Sequence, residues 1–238
     1  MVLNKTSPNT QKKAPAPQSR RQAQSPIPVD EVNKTIERAT VFVIADKGTG
    51  SGFFISRNHI LTNRHVVDSS GSKIFIASKT LNLNLPAKIV AVSNTINRDY
   101  AVLEIRESIN IRPLSFNTRV KRTDKVASWG FPGTIISSDP KFQALLQGKS
   151  GSFPEVVYSS GEVSVVHDGN PQKIVHTALI SQGNSGGPLV DQRGRVVGIN
   201  TAISIDSKSN RQDSYALVAS DIIAFLAAHR ISFQLDND

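Results

Sequence analysis

Three short segments of the sequence carry residue types that could perform acyl transfer. The segment 182–190 reads QGNSGGPLV and places Ser185 among glycines that permit unusual backbone conformations. A serine hydroxyl is a weak nucleophile, so it needs a base for its proton and backbone donors for the oxyanion. We expect Gly183 and Ser185 to supply two N–H donors to one oxyanion hole, with Asn184 between them. The alternative interpretation is a plain loop of turn-forming residues.

Two further segments could supply the base and an acid that orients it. In ILTNRHVV (60–67), His65 follows a strand predicted to end at Thr62, which fixes its backbone while leaving the ring at a surface cleft. In RDYAVLEI (98–105), Asp99 opens an apolar strand. Neither residue would indicate function alone, so each assignment depends on the other two segments. Four histidines lie outside any such motif and are predicted to be structural: His59, His167, His176 and His229.

Short β-branched and apolar runs between turn signals predict the elements that position these residues. They indicate an all-β sandwich or barrel of about a dozen strands, in two groups separated near residues 108–123. A C-terminal helix is predicted over 220–229 with Ser220 or Asp221 as its cap, and a short helix or turn over 30–38 with Asp30 as its cap. The long connection 134–160 is either a lid over the site or a surface insertion with a helical turn.

Composition limits the classes of partner. The chain has 238 residues, no cysteine and a formal net charge of +9, which excludes disulfides, structural zinc fingers and a Cys nucleophile. Five basic residues lie in the Pro-rich stretch before Asp30, and removing them from +9 leaves +4, so a nucleic-acid partner is disfavoured. They are Lys5, Lys12, Lys13, Arg20 and Arg21. No apolar run could span a bilayer, and residues 1–30 lack a signal-peptide core.

The order of the three segments, followed by GRVVGINTAI, resembles the trypsin-like serine peptidases and within them the bacterial HtrA/Deg branch, over about residues 39–220. The resemblance implies two six-stranded antiparallel β-barrels with a C-terminal α-helix: residues 30–115 and 116–238, behind a flexible basic tail at 1–29. It makes Ser185 the nucleophile, His65 the general base and then acid, and Asp99 the acceptor that orients the imidazole. No cofactor is implied. A metal is disfavoured because no two histidines lie at ligand spacing near carboxylates.

The sequence departs from the family pattern in three places. Asn184 stands where digestive members carry an aspartate, which disfavours activation by a freed N-terminus. The usual aspartate upstream of the nucleophile is missing, with Thr177 and Ala178 in that neighbourhood. Only ISFQLDND follows the predicted last helix, so regulation by a C-terminal PDZ domain is not expected.

By resemblance, the first specificity pocket would be lined by Ile180, Thr201, Ala202 and Ile203. This set contains no acid, so selection of Lys or Arg at P1 (the residue before the cut bond) is disfavoured, and small aliphatic side chains are expected.

Three hypotheses of different classes remain. The first is a serine endopeptidase acting on protein or peptide substrates through an acyl-enzyme. The second is a peptide-binding pseudo-enzyme with the same fold, and the third is a basic adaptor acting through its tail. The family resemblance also allows a homo-oligomer. It implies a periplasmic or other extracytoplasmic location if an export segment was removed, and otherwise the protein is cytoplasmic.

Overall fold

Six antiparallel strands close into a first barrel. The computed structural model describes residues 28–46, 48–68, 73–95, 97–206, 208 and 211–237. The strands are β1 (Thr40–Ala45), β2 (Gly48–Phe54), β3 (His59–Thr62), β4 (Ile74–Ser78), β5 (Leu83–Val92) and β6 (Ala101–Ile105). They follow one another around the barrel in the order β1-β2-β3-β6-β5-β4. Because the ring is closed, none of these six described strands has an unpaired edge.

The second half contains another closed ring of six strands. Its elements in chain order are β7 (Ser115–Phe116), β8 (Lys125–Gly130), β9 (Val157–His167), β10 (Lys173–His176), β11 (Pro188–Asp191), β12 (Val196–Asp206), β13 (Arg211–Val218) and β14 (Gln234–Leu235). The ring runs β11-β8-β9-β10-β13-β12 and closes through a β11–β12 pairing, while the short β7 and β14 extend it beyond β12. The predicted pair of six-stranded antiparallel barrels is therefore confirmed. The predicted boundary at 115/116 falls within β7 and stays a prediction.

Five helices accompany the barrels in the described residues: α1 (Val29–Ala39), α2 (Arg64–Val67), α3 (Gly133–Ile136), α4 (Pro140–Leu146) and α5 (Ala219–Ala228). The C-terminal helix was expected, and the short helix or turn predicted over 30–38 is a helix, α1, of 11 residues. The tail predicted at 1–29 lies outside the described residues except for Pro28 and Val29, and Val29 already begins α1.

Both predicted helix caps are wrong. Helix α1 starts after Pro28, so Asp30 lies in its first turn, where a carboxylate interacts favourably with the positive end of the helix dipole. Helix α5 follows β13 directly, with Val218 at the N-cap position and no side-chain cap. The carboxylate of Asp221 instead accepts a 2.8 Å hydrogen bond from the backbone N–H of Gln172. The side chain that was expected to cap the helix therefore binds a residue outside it.

A single apolar cluster spans the two barrels. It includes Phe53 and Leu61 from the first barrel and Val190 and Ile199 from the second, all almost fully buried. Burying each such side chain is worth roughly 1.5–3 kcal/mol, so the interface that contains the cleft is as firmly packed as a barrel interior. The two barrels are therefore joined by one shared apolar core.

The long connection between β8 and β9 packs on the first barrel. Phe131, Ile136 and Phe142 bury their side chains against Phe42 of β1 and Ala77 of β4. The ring centroids of Phe42 and Phe131 lie 5.2 Å apart, and those of Phe42 and Phe142 lie 5.7 Å apart. The predicted helical turn is present as α3 and α4, and this apolar contact fastens the connection beside the interbarrel cleft.

Candidate active site

His65 and Asp99 meet at the edge of the first barrel. His65 lies in α2, directly after β3, and Asp99 lies just before β6, which pairs with β3. Nδ1 of His65 is 2.5 Å from Oδ2 of Asp99, and the backbone N–H of His65 donates to Oδ1 at 2.9 Å. The imidazole is about half exposed and the carboxylate is mostly buried. The carboxylate therefore fixes both the ring and the backbone of His65.

The pKa of Asp99 reflects two opposing effects. Burial of the carboxyl raises its pKa, but the hydrogen bonds and charge of His65, with a smaller contribution from Thr201, bring it below its ordinary value. Asp99 is therefore ionised at neutral pH. A buried carboxylate beside Nδ1 holds the ring in one tautomer, with Nε2 left available as a proton acceptor.

Thr201 of β12 connects this pair with Ser185. Its hydroxyl donates a 2.8 Å hydrogen bond to Oδ2 of Asp99, and its carbonyl accepts a 3.5 Å hydrogen bond from the hydroxyl of Ser185. The three predicted catalytic residues are thus brought to one cleft. In the described part of the chain, no hydrogen bond joins Ser185 to His65, and the serine hydroxyl is turned towards Thr201. Such bonds are often long or absent before substrate binds.

The loop around Ser185 presents two free N–H groups. Gly183 has φ +98, in the left-handed region that favours glycine, and an added Cβ would collide with the carbonyl of Phe131. Among the described residues, the amides of Gly183 and Ser185 donate no hydrogen bond. The amide of Asn184 does donate, to the carbonyl of Ser181 at 3.0 Å. Asn184 therefore stabilises the turn between the two free donors and supplies none itself.

The side chain of Asn184 also serves the turn. Its Oδ1 accepts a 3.0 Å hydrogen bond from the N–H of Ser181, and the residue is buried. In this position an aspartate would add a buried charge, and the neutral amide avoids that cost.

Asn200, just before Thr201, clamps the segment that follows Ser185. Its buried side chain donates to the carbonyls of Gly187 and Pro188 at 3.2 and 3.3 Å and to the hydroxyl of Ser128 at 2.9 Å. Its backbone exchanges hydrogen bonds with Gly186 and Gly187. The motif GINTAI gave no indication of this role.

The four predicted pocket residues differ in burial and in their contacts. Ile180 is buried, and its carbonyl accepts a 2.6 Å hydrogen bond from the side chain of Gln212 on β13. Ala202 and Ile203 are exposed on β12, and Ile203 lies opposite Ser214 in the β12–β13 register. The hydroxyl of Thr201 donates to Asp99, and its predicted role in the pocket stays a prediction.

In the described residues, no hydrogen bond or ion pair joins the four other histidines to His65, Asp99 or Ser185. His59 contacts Ser56 and Glu104, and His229 contacts the carbonyl of Phe225 at the end of α5. His176 is buried, and burial lowers the pKa of its imidazole to about 4, an effect only partly offset by Asn200 and the backbone of Ala178. Within the described residues, no group of three or more His, Asp or Glu side chains could hold a metal ion.

Two barrels with a His, an Asp and a Ser converging between them define the class of trypsin-like serine peptidases. Residues 50–199 match the family described as the trypsin-like peptidase domain, and the chain belongs to this family.

Named relatives are of the HtrA/Deg type, as the sequence motifs predicted. The chain is 30% identical over 171 residues to a probable periplasmic serine endoprotease DegP-like of Bartonella henselae, covering 71% of this chain and 31% of the relative. It is 31% identical to the DegP-like protein of Chlamydia pneumoniae, covering 79% of this chain and 34% of the relative. The chain thus spans about a third of the length of the curated relatives it matches.

A solved structure agrees with the fold. The serine endoprotease from Yersinia pestis superposes with a TM-score of 0.66 at 23% identity, covering 87% of this chain and 68% of that chain.

Proposed function

We propose that this chain is a serine endopeptidase of the HtrA/Deg type that cleaves protein substrates through an acyl-enzyme at Ser185. The observation that carries the proposal is the 2.5 Å contact between His65 and the ionised Asp99, in the same cleft as the Ser185 loop. Buried carboxylates facing Nδ1 of a half-exposed imidazole are the arrangement that general-base catalysis needs.

The proposed reaction has two halves, formation of an acyl-enzyme and its hydrolysis. Rotation of the Ser185 side chain brings Oγ to Nε2 of His65, which takes the proton as Oγ bonds to the substrate carbonyl carbon. The carbonyl oxygen becomes an oxyanion bound by the free N–H groups of Gly183 and Ser185. His65 then gives its proton to the departing amine, the C–N bond breaks, and an ester remains on Ser185. A water, deprotonated by His65, attacks the ester carbon; the bond to Oγ of Ser185 breaks, and His65 returns its proton to Oγ.

The pocket wall supports a preference for uncharged P1 residues. Ile203 pairs with Ser214 in the β12–β13 register, the carbonyl of Ile180 accepts from Gln212, and all four residues predicted to line the pocket have uncharged side chains. We propose small aliphatic P1 side chains, such as Val, Ala or Ile. A peptide library varied only at P1 tests this, and fastest cleavage after Arg or Glu would contradict it.

The connection over 134–160 is proposed as an activation loop. The residue just before it touches the oxyanion loop directly, since the N–H of Gly133 donates to the carbonyl of Gln182 at 2.7 Å. A trans peptide points its C=O and N–H in opposite directions, so this bond orients the N–H of Gly183 away from the connection. Movement of the connection would therefore move an oxyanion donor.

A fluorophosphonate probe tests the activity. The wild-type protein should be labelled, Ser185→Ala should not, and Ser164→Ala on β9 should be labelled like the wild type. If neither the wild type nor Ser164→Ala is labelled but peptide binding is retained, the result would favour the peptide-binding pseudo-enzyme.

The adaptor hypothesis rests on a tail that lies outside the described residues, and it predicts that deletion of 1–27 abolishes partner capture.

Location and assembly are proposed from the relatives. Four relatives are named as probable periplasmic serine proteases or endoproteases, which supports an extracytoplasmic location. None of the helices in the described ranges is both long and apolar enough to cross a membrane. Cell fractionation tests the location, and sedimentation analysis tests the predicted homo-oligomer.

A further inference from the structure

Ser51 is a fully buried serine of the first barrel that touches the loop carrying Ser185 in the second. It lies in β2, where it pairs with Phe42 of β1. Its backbone N–H donates to the carbonyl of Ser185 at 2.8 Å, and its backbone carbonyl accepts from the hydroxyl of Thr62 at 2.7 Å. The main chain of Ser51 thus joins the Ser185 loop to the strand that precedes His65.

The hydroxyl of Ser51 is fixed by two partners. It accepts a 2.9 Å hydrogen bond from the N–H of Phe131 and donates a 2.7 Å hydrogen bond to the carbonyl of Gly183. A serine hydroxyl has one proton, and Phe131 occupies its acceptor side, so the proton must point at Gly183. The peptide between Gly183 and Asn184 is thereby held in one orientation.

The two peptide groups on either side of Gly183 are both held from outside the loop. Gly133 holds the carbonyl of Gln182, and Ser51 holds the carbonyl of Gly183. Gly183 has unusual freedom because it lacks a side chain, so these two bonds, together with the bond from the N–H of Asn184 to the carbonyl of Ser181, restrict its backbone. Loss of the Ser51 bond would weaken the restraint on the C-terminal side of Gly183, so its N–H would be held less firmly towards the developing oxyanion.

Space around Ser51 admits only a small side chain. A Cβ on Gly130 would lie 2.8 Å from the Ser51 hydroxyl, and a Cβ on Gly187 would lie 3.2 Å from the Ser51 Cβ. The position therefore selects for a side chain that is both small and able to donate and accept at once. Among the common residues, serine fits these demands best.

We propose that Ser51 is a positioning residue for the oxyanion hole, and that it couples the connection at Phe131 to the N–H donor of Gly183. It acts from the first barrel without touching substrate. The expected effect on kcat rests on the proposed peptidase activity. The expected effect on the mobility of the Ser185 loop rests on the loop geometry alone.

The kinetic test compares Ser51→Ala with Ser78→Ala. Ser78 is an equally buried serine of β4 whose hydroxyl accepts from the N–H of Leu81, away from the cleft. Ser51→Ala should lower kcat by roughly 10- to 100-fold, less than the loss of a whole oxyanion donor, with KM changed by less than about threefold. Affinity for a peptide boronate, which forms a tetrahedral adduct on Ser185, should fall by the same factor as kcat. Ser78→Ala should leave all three values unchanged.

A second measurement is independent of activity. Amide hydrogen exchange at Asn184 and Gly187, whose N–H groups are bonded within the loop, should become at least about tenfold faster in Ser51→Ala and not in Ser78→Ala. Circular dichroism confirms that both variants fold.

The outcomes separate the two proposals. A wild-type protein that neither cleaves nor reacts with the probe would contradict the peptidase, while faster exchange in Ser51→Ala would still support the positioning role. Unchanged exchange in that variant, or equal effects in both variants, would overturn the role of Ser51.

Discussion

The hydroxyl of Thr201 donates a 2.8 Å hydrogen bond to the carboxylate of Asp99, across the cleft between the two barrels. Asp99 belongs to the first barrel and Thr201 to β12 of the second. The carboxylate oxygen that Thr201 contacts is also the one that faces Nδ1 of His65. The second barrel therefore helps to hold the histidine in place, although it supplies neither the histidine nor the aspartate.

Thr201→Val should weaken catalysis without weakening substrate binding. It keeps the shape of the side chain and removes a hydrogen bond to a charged group, a kind of bond worth about 1.5–3 kcal/mol. We expect kcat to fall by roughly 10- to 100-fold with KM nearly unchanged, measured on a peptide substrate. Thr201→Ser retains the hydroxyl and should stay close to the wild type. Equal kcat values for the Val and Ser variants would contradict the positioning of Asp99 by Thr201.

Asp99→Asn should have the larger effect. The amide is almost the same size, but it lacks the charge that stabilises a protonated His65, and its NH₂ group cannot accept from Nδ1–H. We expect kcat to fall by roughly 10⁴-fold, with melting temperature as the check on folding. Asp124→Asn neutralises an acid that accepts from the backbone of Lys121 in a surface turn, and it should leave kcat unchanged. A loss below about tenfold in Asp99→Asn would show that His65 does not depend on this carboxylate.

The parts of the site with local signals were predictable from the sequence. Glycines on both sides of Ser185 indicate a loop with special backbone geometry, and Gly183 indeed has a positive φ. Short β-branched and apolar runs between turn signals predicted the strands, because such side chains favour extended, partly buried backbone. These signals depend only on neighbouring residues.

The contacts that the sequence did not predict depend on distant residues or on irregular pairing. The β12–β13 register shifts between Asn200 and Ala202, which breaks the alternation and leaves Thr201 facing Asp99. The hydroxyl of Ser51 meets the carbonyl of Gly183, which is 132 positions away. No local pattern around either residue carries such information.

Gly183→Ala should damage both the oxyanion hole and the fold. Alanine is strained at φ +98, and its Cβ would meet the carbonyl of Phe131. We expect kcat to fall by roughly 100- to 1,000-fold, as when one oxyanion donor is lost, together with a lower melting temperature.

Gly194→Ala is the matched control for that variant. Gly194 also has a positive φ, +77, but an added Cβ there would meet the side chains of Val32 and Ile36 rather than the Ser185 loop. It should lower the melting temperature while leaving kcat unchanged. If Gly183→Ala lowered only stability and kept kcat, Gly183 would not be an oxyanion donor.

His176 should make the protein less stable in mild acid. Its pKa lies near 4 in the folded protein because the ring is buried, against an ordinary value of 6.5. The unfolded chain therefore binds a proton between these values that the folded protein does not, so stability is complete above pH 6.5 and is lost as pH falls towards 4. The loss from this residue amounts to about 3 kcal/mol in the free energy of unfolding. Urea denaturation across this range measures it.

His176→Gln should flatten that pH dependence, because glutamine does not titrate. His167→Gln, at the exposed end of β9, provides the control and should keep the wild-type dependence on pH. Comparison of the wild type with His176→Gln at neutral pH also shows how much the buried ring contributes to the free energy of unfolding, since both side chains are then uncharged. If the wild type and His176→Gln lost stability equally between neutral pH and about pH 4, His176 would not be the source of the acid sensitivity. Asp99 does not act in this range, because the pKa of its carboxyl is lowered from 3.8 and its contribution to stability is lost only below that value.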